Sequence, residues 1–461
     1  MNPHFHKHSE PLKISYSGVR GIVGEALTGE VARRFGAAFR RLLPHPKPLI
    51  VLARDTRPSG EWLLPEVIAG VTSLPAELRY IGIVPTPTAQ VVMRRLNAAG
   101  GIVITASHNP PEWNGFKFLL GPYAIVADAK QTAQLFELFQ RAEQTAAKSV
   151  AIPPDESSAA IEAHLQQVLE QVNVEAVRQR QFRVALDSAR GTGEMLAPRL
   201  LEALGCEVHL LRETRDSEPT PENLTALAGL VREQGLDLGL AQDVDADRLA
   251  LVSEAGEAIG EEYSLAVVMK YLLERYGESR PLVVKNSSTS RMIDDLVETA
   301  KAKLVEVRVG EVNLSRALIE IYEEGRVGFG GEGNGGIIYP PVCFGRDSHI
   351  GMALLLEYLA RNGKTVSQVV AQLPRYFMLK HKIHCDDEAQ VKELLARAEQ
   401  ALTEGEISHP DGLKVRFPDG SWLQVRPSNT EPVVRIIVEA SDPMRAQELV
   451  DRLEIRGQSH N

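Results

Sequence analysis

Cysteine is scarce in this chain of 461 residues, and its scarcity argues against two classes of protein. Only Cys206, Cys343 and Cys385 occur; they lie far apart in the sequence and their number is odd. A small secreted domain stabilised by disulfides carries dense cysteines in even number, and a cysteine zinc site needs closely spaced pairs. The three cysteines are therefore predicted to be packing residues.

Long apolar runs and an excess of basic charge are also missing. No uninterrupted apolar stretch reaches the roughly 18 residues that span a bilayer, and the N-terminal segment lacks the apolar core of a signal peptide. We therefore expect a cytoplasmic protein with no membrane partner. The net charge of −10 argues against general nucleic-acid binding, which needs a sustained basic face. A small anionic ligand is compatible with this charge if cations converge locally.

The overall composition is that of an ordinary globular protein, with 44% hydrophobic and 24% charged residues. The length predicts about three or four domains. Apolar strands alternate with helical patterns over most of the chain, which indicates layered α/β domains, whereas the C-terminal part has the pattern of a smaller α+β domain. We place the predicted domains at residues 1–150, 155–256, 257–372 and 375–461.

A serine lies where one predicted strand ends. Residues 101–105 form an apolar, β-branched run, and Pro110 prevents the strand from continuing in a sheet. Ligands bind at the carboxyl ends of strands in open α/β sheets, so Ser107, with Lys117 nearby, is a candidate nucleophile or phosphate carrier. An ordinary Ser/Asn turn is the alternative, and this stretch alone does not decide between them.

Three carboxylates alternate in the loop that follows the apolar strand LDLGLA. They are Asp243, Asp245 and Asp247. Hard oxygen ligands of this kind suit Mg²⁺, and the loop lacks the glycine and glutamate positions of an EF-hand. The loop therefore predicts a magnesium site, with a solvated acidic turn as the alternative.

Two further loops carry polar groups suited to a phosphorylated sugar. The glycine-rich stretch 331–336 lacks the Gly-Lys-Ser/Thr of a P-loop and instead offers Glu332 and Asn334 to sugar hydroxyls. The stretch 426–432 combines an arginine, hydroxyls and backbone amides, which together form a phosphate grip. A solvated turn is the alternative for this stretch. Its candidate phosphate ligands are Arg426, Ser428, Asn429, Thr430 and the nearby Arg435.

Taken together, the four loops resemble one family. The sequences TASHNP, DVDADR, GEGNGG and RPSNTEP occur in the order, and at roughly the separations, found in the α-D-phosphohexomutases. The resemblance extends from about Lys13 to Glu454. It implies an α/β fold with three similar mixed α/β domains and a smaller C-terminal α+β domain around a central active-site cleft, each domain contributing one loop. It also implies an isomerase that moves a phosphoryl group between the 6- and 1-hydroxyls of a hexose.

The resemblance implies a phosphoserine at Ser107 and a sugar 1,6-bisphosphate as intermediate and activator. Arg20 would hold the transferring group and Arg248 would neutralise it, while either Lys117 or His108 would move the hydroxyl proton. Glu332 and Asn334 would contact the sugar, and the stretch 426–435 would bind the distal phosphate. One Mg²⁺ per chain would be bound by Ser107, Asp243, Asp245 and Asp247.

The sequence departs from the family pattern in the sugar loop. Many members have Ser where Asn334 stands and His where Gly336 stands, which leaves the choice of sugar open. Glu311 falls where the family places a further substrate contact, and an acidic group there could pair with a 2-ammonium. This favours a glucosamine phosphate over glucose and mannose phosphates. Both a monomer and a homodimer fit the sequence.

Two other classes of function fit the sequence less well than a mutase. A serine hydrolase is disfavoured because the chain has no G-x-S-x-G elbow, and His108 adjoins Ser107 where neighbouring side chains diverge. A non-catalytic sugar-phosphate-binding protein would need neither Ser107 nor all three aspartates. The complete set favours an enzyme.

Overall fold

The computed structural model of the chain describes residues 12–15, 18–143, 150–385, 387–428 and 433–453. These residues form four sheets, which we use to define units I to IV. Within them, none of the helices combines the length and the apolar character that a bilayer crossing requires. The three cysteines are buried and unbridged, so their predicted role as packing residues is confirmed.

Unit I is built on a seven-stranded sheet with the order β1-β2-β6-β5-β3-β4, and β7 pairs with β6. Helix α1 begins after Thr28, whose side chain accepts a hydrogen bond from the backbone N–H of Val31, and its apolar face packs on the sheet. The elements are β1 (Leu12–Ser15), β2 (Gly18–Ile22), α1 (Gly29–Leu42), β3 (Leu49–Arg54), α2 (Gly60–Val71), β4 (Glu77–Ile83), α3 (Thr86–Arg95), β5 (Gly100–Ile104), β6 (Trp113–Leu120), β7 (Ile125–Val126) and α4 (Ala129–Arg141).

Units II and III each have a four-stranded sheet. Unit II contains α5 (Ser157–Leu169), α6 (Val174–Arg178), β8 (Arg183–Asp187), α7 (Gly193–Ala203), β9 (Glu207–Leu210), α8 (Thr225–Gln234), β10 (Leu238–Gln242) and β11 (Leu249–Val252). Unit III contains α9 (Glu261–Tyr276), β12 (Leu282–Asn286), α10 (Met292–Thr299), β13 (Lys303–Val307), α11 (Glu311–Glu323), β14 (Gly328–Glu332), β15 (Gly336–Ile338), α12 (Ser348–Asn362) and α13 (Val366–Val370).

Units I to III repeat one topology. The strand orders β4-β3-β5-β6, β9-β8-β10-β11 and β13-β12-β14-β15 correspond, with the first three strands parallel and the fourth antiparallel. The prediction of three similar mixed α/β domains is thus confirmed. In each repeat the turn from the third strand to the fourth carries a predicted functional loop, with Ser107 after β5, the aspartates after β10 and Asn334 after β14.

Unit IV has a five-stranded antiparallel sheet with the order β16-β20-β19-β18-β17. Its predicted α+β character is confirmed. Its apolar core consists only of its own residues, whereas one continuous core joins residues of units I, II and III. The elements are β16 (Phe377–His384), α14 (Glu388–Ala401), β17 (Glu406–Ser408), β18 (Leu413–Arg416), β19 (Trp422–Pro427), β20 (Val433–Ala440) and α15 (Pro443–Asp451).

Unit IV contacts unit III through polar groups on one face of its sheet. Buried Lys414 donates from Nζ to the backbone oxygen of Ser287 at 2.6 Å and to Glu306 Oε2 at 3.0 Å. The amide of Gln424 also donates to Ser287 Oγ at 3.0 Å. A separate core and a polar interface make unit IV a distinct cooperative unit.

Two predicted loops are shorter than the sequence indicates. Gly331 and Glu332 belong to β14, paired with Ile337 and Gly336 of β15, so only residues 333–335 form the turn. Arg426 likewise belongs to β19. Backbone pairing with the adjacent antiparallel strand extends the strands into these glycine- and proline-rich segments. The domain boundaries at 1–150, 155–256, 257–372 and 375–461 stay predictions.

The separate core of unit IV predicts separate local unfolding. Ile436→Ala removes a fully buried side chain from that core and should destabilise unit IV by about 2–5 kcal/mol through the cavity it leaves. Hydrogen exchange measured by mass spectrometry should accelerate in β19 and β20 but stay unchanged in β8 and β10. Leu200→Ala in α7 is the matched control, since it should accelerate exchange in unit II instead. Equal acceleration of all four units by both variants would contradict the separation.

Candidate active site

One cleft receives residues from all four units. It opens to solvent. The predicted aspartates lie buried beside it, at 0% to 1% exposure. Asn429 and Thr430 lie outside the described residues. The polar residues that line the cleft are Arg20, Ser107, His108, Lys117, Glu218, Arg248, Glu311, Glu332, Asn334, Arg346, Arg426, Ser428 and Arg435.

The Ser107 loop is held by a buried arginine that the sequence did not single out. Arg57 donates to the backbone oxygens of Ser107 at 2.8 Å and Asn109 at 2.6 Å, and its Nε pairs with Asp55 at 3.1 Å. Ser107 has a φ of +52°, in the left-handed region, and its N–H donates to Thr105 Oγ1 at 2.9 Å. This unusual backbone is thus fixed by hydrogen bonds and positions the serine at the cleft.

The three aspartates form a compact cluster whose ligand atoms lie within 4.8 Å of one another. One oxygen of each, Asp243 Oδ2, Asp245 Oδ1 and Asp247 Oδ1, is buried and has no hydrogen-bond partner among the described residues. Leaving three buried carboxyl oxygens without a hydrogen bond is costly, and a hard divalent cation satisfies all three. The cluster therefore fits the predicted Mg²⁺, with one ligand from each aspartate.

Other groups hold the aspartates in place. Asp243 Oδ1 accepts hydrogen bonds from the backbone N–H groups of Asp247 and Arg248, at 3.1 and 3.2 Å. Asp245 Oδ2 accepts from Thr86 Oγ1 at 2.7 Å, which ties this loop of unit II to the first residue of α3 in unit I. Burial, together with Asp247 and Asp245, raises the pKa of Asp243 well above its usual range.

Lys117 lies on β6 and reaches the same cluster. Its Nζ is 2.5 Å from Asp245 Oδ2 and 3.0 Å from Asp247 Oδ2. Burial opposes the charge of the ammonium, but the two carboxylates outweigh burial and raise the pKa of Lys117 above its usual range. The lysine is therefore a cation in this arrangement.

Two arginines and a histidine surround Ser107. Arg20 Nη1 donates to Asn109 Oδ1 at 2.7 Å, and burial lowers the pKa of Arg20 to about 10, so it stays charged at neutral pH. Arg248 Nη2 donates to His108 Nδ1 at 3.2 Å. Burial and these two arginines hold the pKa of His108 well below its usual range. His108 is thus a neutral hydrogen-bond acceptor, and its Nδ1 is not available to the carboxylate that a hydrolytic triad requires.

Arg346 is the central residue that the sequence reasoning missed. Its Nη2 donates to Asp247 Oδ2 at 2.6 Å, its Nη1 to Glu332 Oε2 at 3.0 Å and its Nε to Glu311 Oε2 at 3.2 Å. One guanidinium therefore joins the metal loop of unit II to two acids of unit III. The signal in the sequence was a lone arginine after the apolar stretch IIYPPVCFG.

The predicted sugar contacts are only partly free to turn toward a ligand. Glu332 Oε1 accepts from Asn286 Nδ2 at 2.9 Å, and its other oxygen accepts from Arg346. Asn334 Oδ1 accepts from the N–H of Gly336 at 3.3 Å, and Asn334 lines the cleft. Gly335, with a φ of +78°, lets the turn approach the backbone oxygen of Leu249.

The phosphate site predicted in unit IV consists of cations placed side by side. Arg426 on β19 and Arg435 on β20 are directly opposite each other, and Lys382 on β16 is opposite Arg435. Like charges at opposite positions of antiparallel strands repel, and a bound anion offsets the repulsion. The row therefore favours a phosphate at this edge of the cleft.

The aspartate cluster predicts a specific loss of metal binding on substitution. Asp245→Asn removes one anionic ligand while leaving the shape of the side chain, so the Mg²⁺ dissociation constant should rise by at least about tenfold. Isothermal titration calorimetry measures this, with circular dichroism to check the fold. Asp187→Asn is the control, because Asp187 is equally buried in unit II but pairs with Arg215 outside the cluster. Equal Mg²⁺ affinity of the two variants would argue against the assignment.

Comparison with known protein families assigns all four units. Phosphoglucomutase/phosphomannomutase alpha/beta/alpha domain I matches residues 12–146, domain II matches 162–256, domain III matches 261–377 and the C-terminal domain matches 381–455.

Full-length relatives and solved structures agree with this assignment. A phosphoglucomutase/phosphomannomutase of Thermococcus kodakarensis is 37% identical over 446 residues, which cover 94% of this chain and 96% of that protein. A protein of Methanopyrus kandleri named as a probable phosphoglucosamine mutase is 36% identical over 451 residues, covering 94% and 95%. The crystal structure of a phosphoglucomutase/phosphomannomutase family protein from Burkholderia thailandensis has a TM-score of 0.80 at 24% identity, covering 97% of this chain and 99% of that one.

A more distant structure has the same fold with ligands bound. N-acetylphosphoglucosamine mutase of Aspergillus fumigatus, crystallised with GlcNAc-6P and magnesium, has a TM-score of 0.60 at 15% identity, covering 97% and 96% of the two chains. The four matched domains and the 37% identical relative together establish that this chain belongs to the phosphoglucomutase/phosphomannomutase family, the α-D-phosphohexomutases, whose members are mutases and therefore isomerases.

Proposed function

We propose that the chain interconverts hexose 6-phosphates and 1-phosphates through a phosphoserine at Ser107, with a glucosamine phosphate as the preferred substrate. The observation that carries the proposal is the convergence on one cleft of a serine, a metal-type aspartate cluster, sugar-contact acids and a row of cations, each from a different unit. Phosphoryl transfer asks mainly for positioning and charge neutralisation, which is what this set supplies.

Each half-reaction exchanges one P–O bond for another. The free hydroxyl of a sugar monophosphate attacks the phosphorus of phosphorylated Ser107, and the bond from Ser107 Oγ to phosphorus breaks. The attacking hydroxyl loses its proton to a base, and Ser107 Oγ takes up a proton in return. The product is a sugar 1,6-bisphosphate and a free serine. After the sugar turns over, the other phosphate returns to Ser107 Oγ by the reverse steps, so atoms and charge balance over the cycle.

The residues around Ser107 have distinct proposed roles. Arg20 holds the transferring group and Arg248 neutralises its charge, since both are cationic and line the cleft. A Mg²⁺ ion held by Asp243, Asp245, Asp247 and the Ser107 phosphate would supply further charge neutralisation. Lys117 or His108 takes the hydroxyl proton. Lys117 is paired as a cation with Asp245 and Asp247, so it would act as this base only after it has lost its own proton.

The distal phosphate is proposed to bind to unit IV. Arg426, Ser428 and Arg435 line the same cleft as Ser107, and Asn429 and Thr430 complete the sequence motif. Because the two phosphates of the intermediate are alike, one clamp of this kind serves both half-reactions. We also propose one Mg²⁺ per chain and a monomeric or homodimeric protein acting in the cytoplasm.

The preference for glucosamine rests on Glu311. Glu311 is the first residue of α11 and lines the same cleft as Glu332. An ammonium at the 2-position of the sugar would pair with it. Relatives named for glucosamine phosphates and for glucose or mannose phosphates have similar identities to this chain, so a phosphoglucomutase/phosphomannomutase is the second candidate.

The phosphoserine predicts a covalent change that intact mass detects. Incubation of the dephosphorylated protein with glucose 1,6-bisphosphate should add one phosphate to the wild type and none to Ser107→Ala. Ser59→Ala, which alters another serine of unit I, should be phosphorylated like the wild type. Equal labelling of the wild type and Ser107→Ala would rule out the proposed carrier.

The sugar preference predicts a ranking of turnover rates. The wild type should have a kcat/KM for glucosamine 6-phosphate at least about tenfold above those for glucose 1-phosphate and mannose 1-phosphate, the factor that one paired charge of about 1.4 kcal/mol supplies. Glu311→Gln should reduce this ratio toward one by slowing the amino sugar selectively. A coupled kinetic assay measures all three substrates. Faster turnover of the neutral sugars by the wild type would exclude the preference and favour the second candidate.

A further inference from the structure

Arg346 joins the metal loop to the sugar-contact acids through a single side chain. Its three guanidinium nitrogens each contact a different carboxylate, at distances of 2.6 to 3.2 Å from Asp247, Glu332 and Glu311. Its side chain is only 10% exposed, so these pairs lie in a poorly screened environment. Removal or reorientation of one carboxylate therefore changes the interaction of the guanidinium with the other two.

The chain makes room for this arginine at a position in the sugar loop. A Cβ placed on Gly336 would lie 2.2 Å from Cδ of Arg346 and 2.9 Å from Cγ. These carbons are in the middle of the side chain, so a larger residue at 336 would push the whole arginine away from the acids. The absence of a side chain at Gly336 and the position of Arg346 are thus linked by steric exclusion.

Asp347, the residue after Arg346, is held in place by hydrogen bonds of its own. Asp347 is fully buried and caps α12, and its Oδ2 accepts from His164 Nε2 of unit II at 2.9 Å. His164 Nδ1 in turn contacts Thr88 Oγ1 of α3 at 2.8 Å. The other oxygen of Asp347 accepts from His349 Nδ1 at 3.1 Å.

This His-Asp-His cluster acts as an anchor for the loop. Its carboxylate oxygens and the His164 ring nitrogens already form hydrogen bonds, so the cluster is explained without a metal ion. Because the hydrogen bonds of Asp347 fix the backbone at residues 346–347, the guanidinium of Arg346 cannot move far toward one acid without losing its contact with another.

We propose that Arg346 is a positioning residue that couples sugar recognition at Glu311 and Glu332 to metal binding at Asp247. The inference rests on the proposed function, since it takes those acids as sugar contacts and that aspartate as a metal ligand. A sugar that draws the two glutamates toward its polar groups weakens their hold on the guanidinium, which then holds Asp247 Oδ2 more firmly and leaves Oδ1 in place for the metal. Coupling of this kind is reciprocal. The metal therefore tightens binding of the sugar phosphate by the same factor by which the sugar phosphate tightens binding of the metal.

The experiment is a binding cycle with Mn²⁺ as the metal probe. Free Mn²⁺ is followed by electron paramagnetic resonance in titrations with no ligand, with inorganic phosphate and with glucosamine 6-phosphate. Inorganic phosphate reports any direct contact between phosphate and metal, and the additional effect of glucosamine 6-phosphate reports the sugar. In the wild type, glucosamine 6-phosphate should lower the Mn²⁺ dissociation constant about tenfold more than inorganic phosphate does. This factor is within the usual range for coupled sites.

Three variants locate the coupling. The sugar-dependent factor is the additional tightening of Mn²⁺ binding by glucosamine 6-phosphate over that by inorganic phosphate. Arg346→Gln should reduce this factor to less than about twofold, while the effect of inorganic phosphate stays the same. Arg346→Lys keeps the charge but offers one ammonium in place of three arranged donors, so it should retain an intermediate factor. Arg94→Gln is the matched control. Arg94 donates to the backbone oxygens of Pro340 and Val342 in the same loop but contacts none of the acids, so the wild-type factor should persist.

The outcomes separate this inference from the proposed function. If the wild type turns over hexose phosphates but its sugar-dependent factor is absent, or is unchanged in Arg346→Gln, the coupling is wrong and the mutase activity stands. If Arg346→Gln fails to fold, an unchanged factor in Arg346→Lys overturns the coupling in the same way. A wild type that neither turns over nor binds hexose phosphates would overturn the proposed function instead. A reduced factor in both Arg346 variants, but not in Arg94→Gln, supports the coupling.

Discussion

The balance of buried charge at the centre of the cleft is the constraint on which the site depends. Five carboxylates from units II and III lie there beside the cations Lys117, Arg248 and Arg346. An unpaired charge in such a place costs several kcal/mol, so the units have to meet in a geometry that gives every acid a partner. The aspartate oxygens that form no hydrogen bond with the described residues are the ones that fit a metal.

The repeated topology explains how three separate units deliver their groups to one place. In each repeat the functional residues follow the third parallel strand, at the carboxyl end where an α/β sheet leaves a crevice. Helix α3 completes the arrangement, because Thr86 holds Asp245 while Thr88 holds His164, which in turn holds Asp347 next to Arg346. The metal loop and the sugar loop are therefore positioned by the same helix.

Unit IV is joined to the rest by a different kind of contact. Its apolar core is its own, and buried polar side chains such as Lys414 and Gln424 meet unit III. Polar contacts can exchange with water at lower cost than an apolar core. The cations Arg426 and Arg435 lie on that unit, on the same face of its sheet as the interface.

Local sequence determined the alternation of strands and helices and the reactive loops, because apolar periodicity and the polar residues at strand ends depend only on neighbours in the chain. The similarity of the three α/β units was implied by the family resemblance. Ser107, the three aspartates, Lys117 and the unit IV arginines could all be found in this way. Tertiary structure alone decided the partners. Arg346 meets Asp247 across 99 residues of sequence, and Arg57 holds the Ser107 loop from 50 residues away. A lone buried arginine has no local pattern, since its role is set by which carboxylates the fold brings to it.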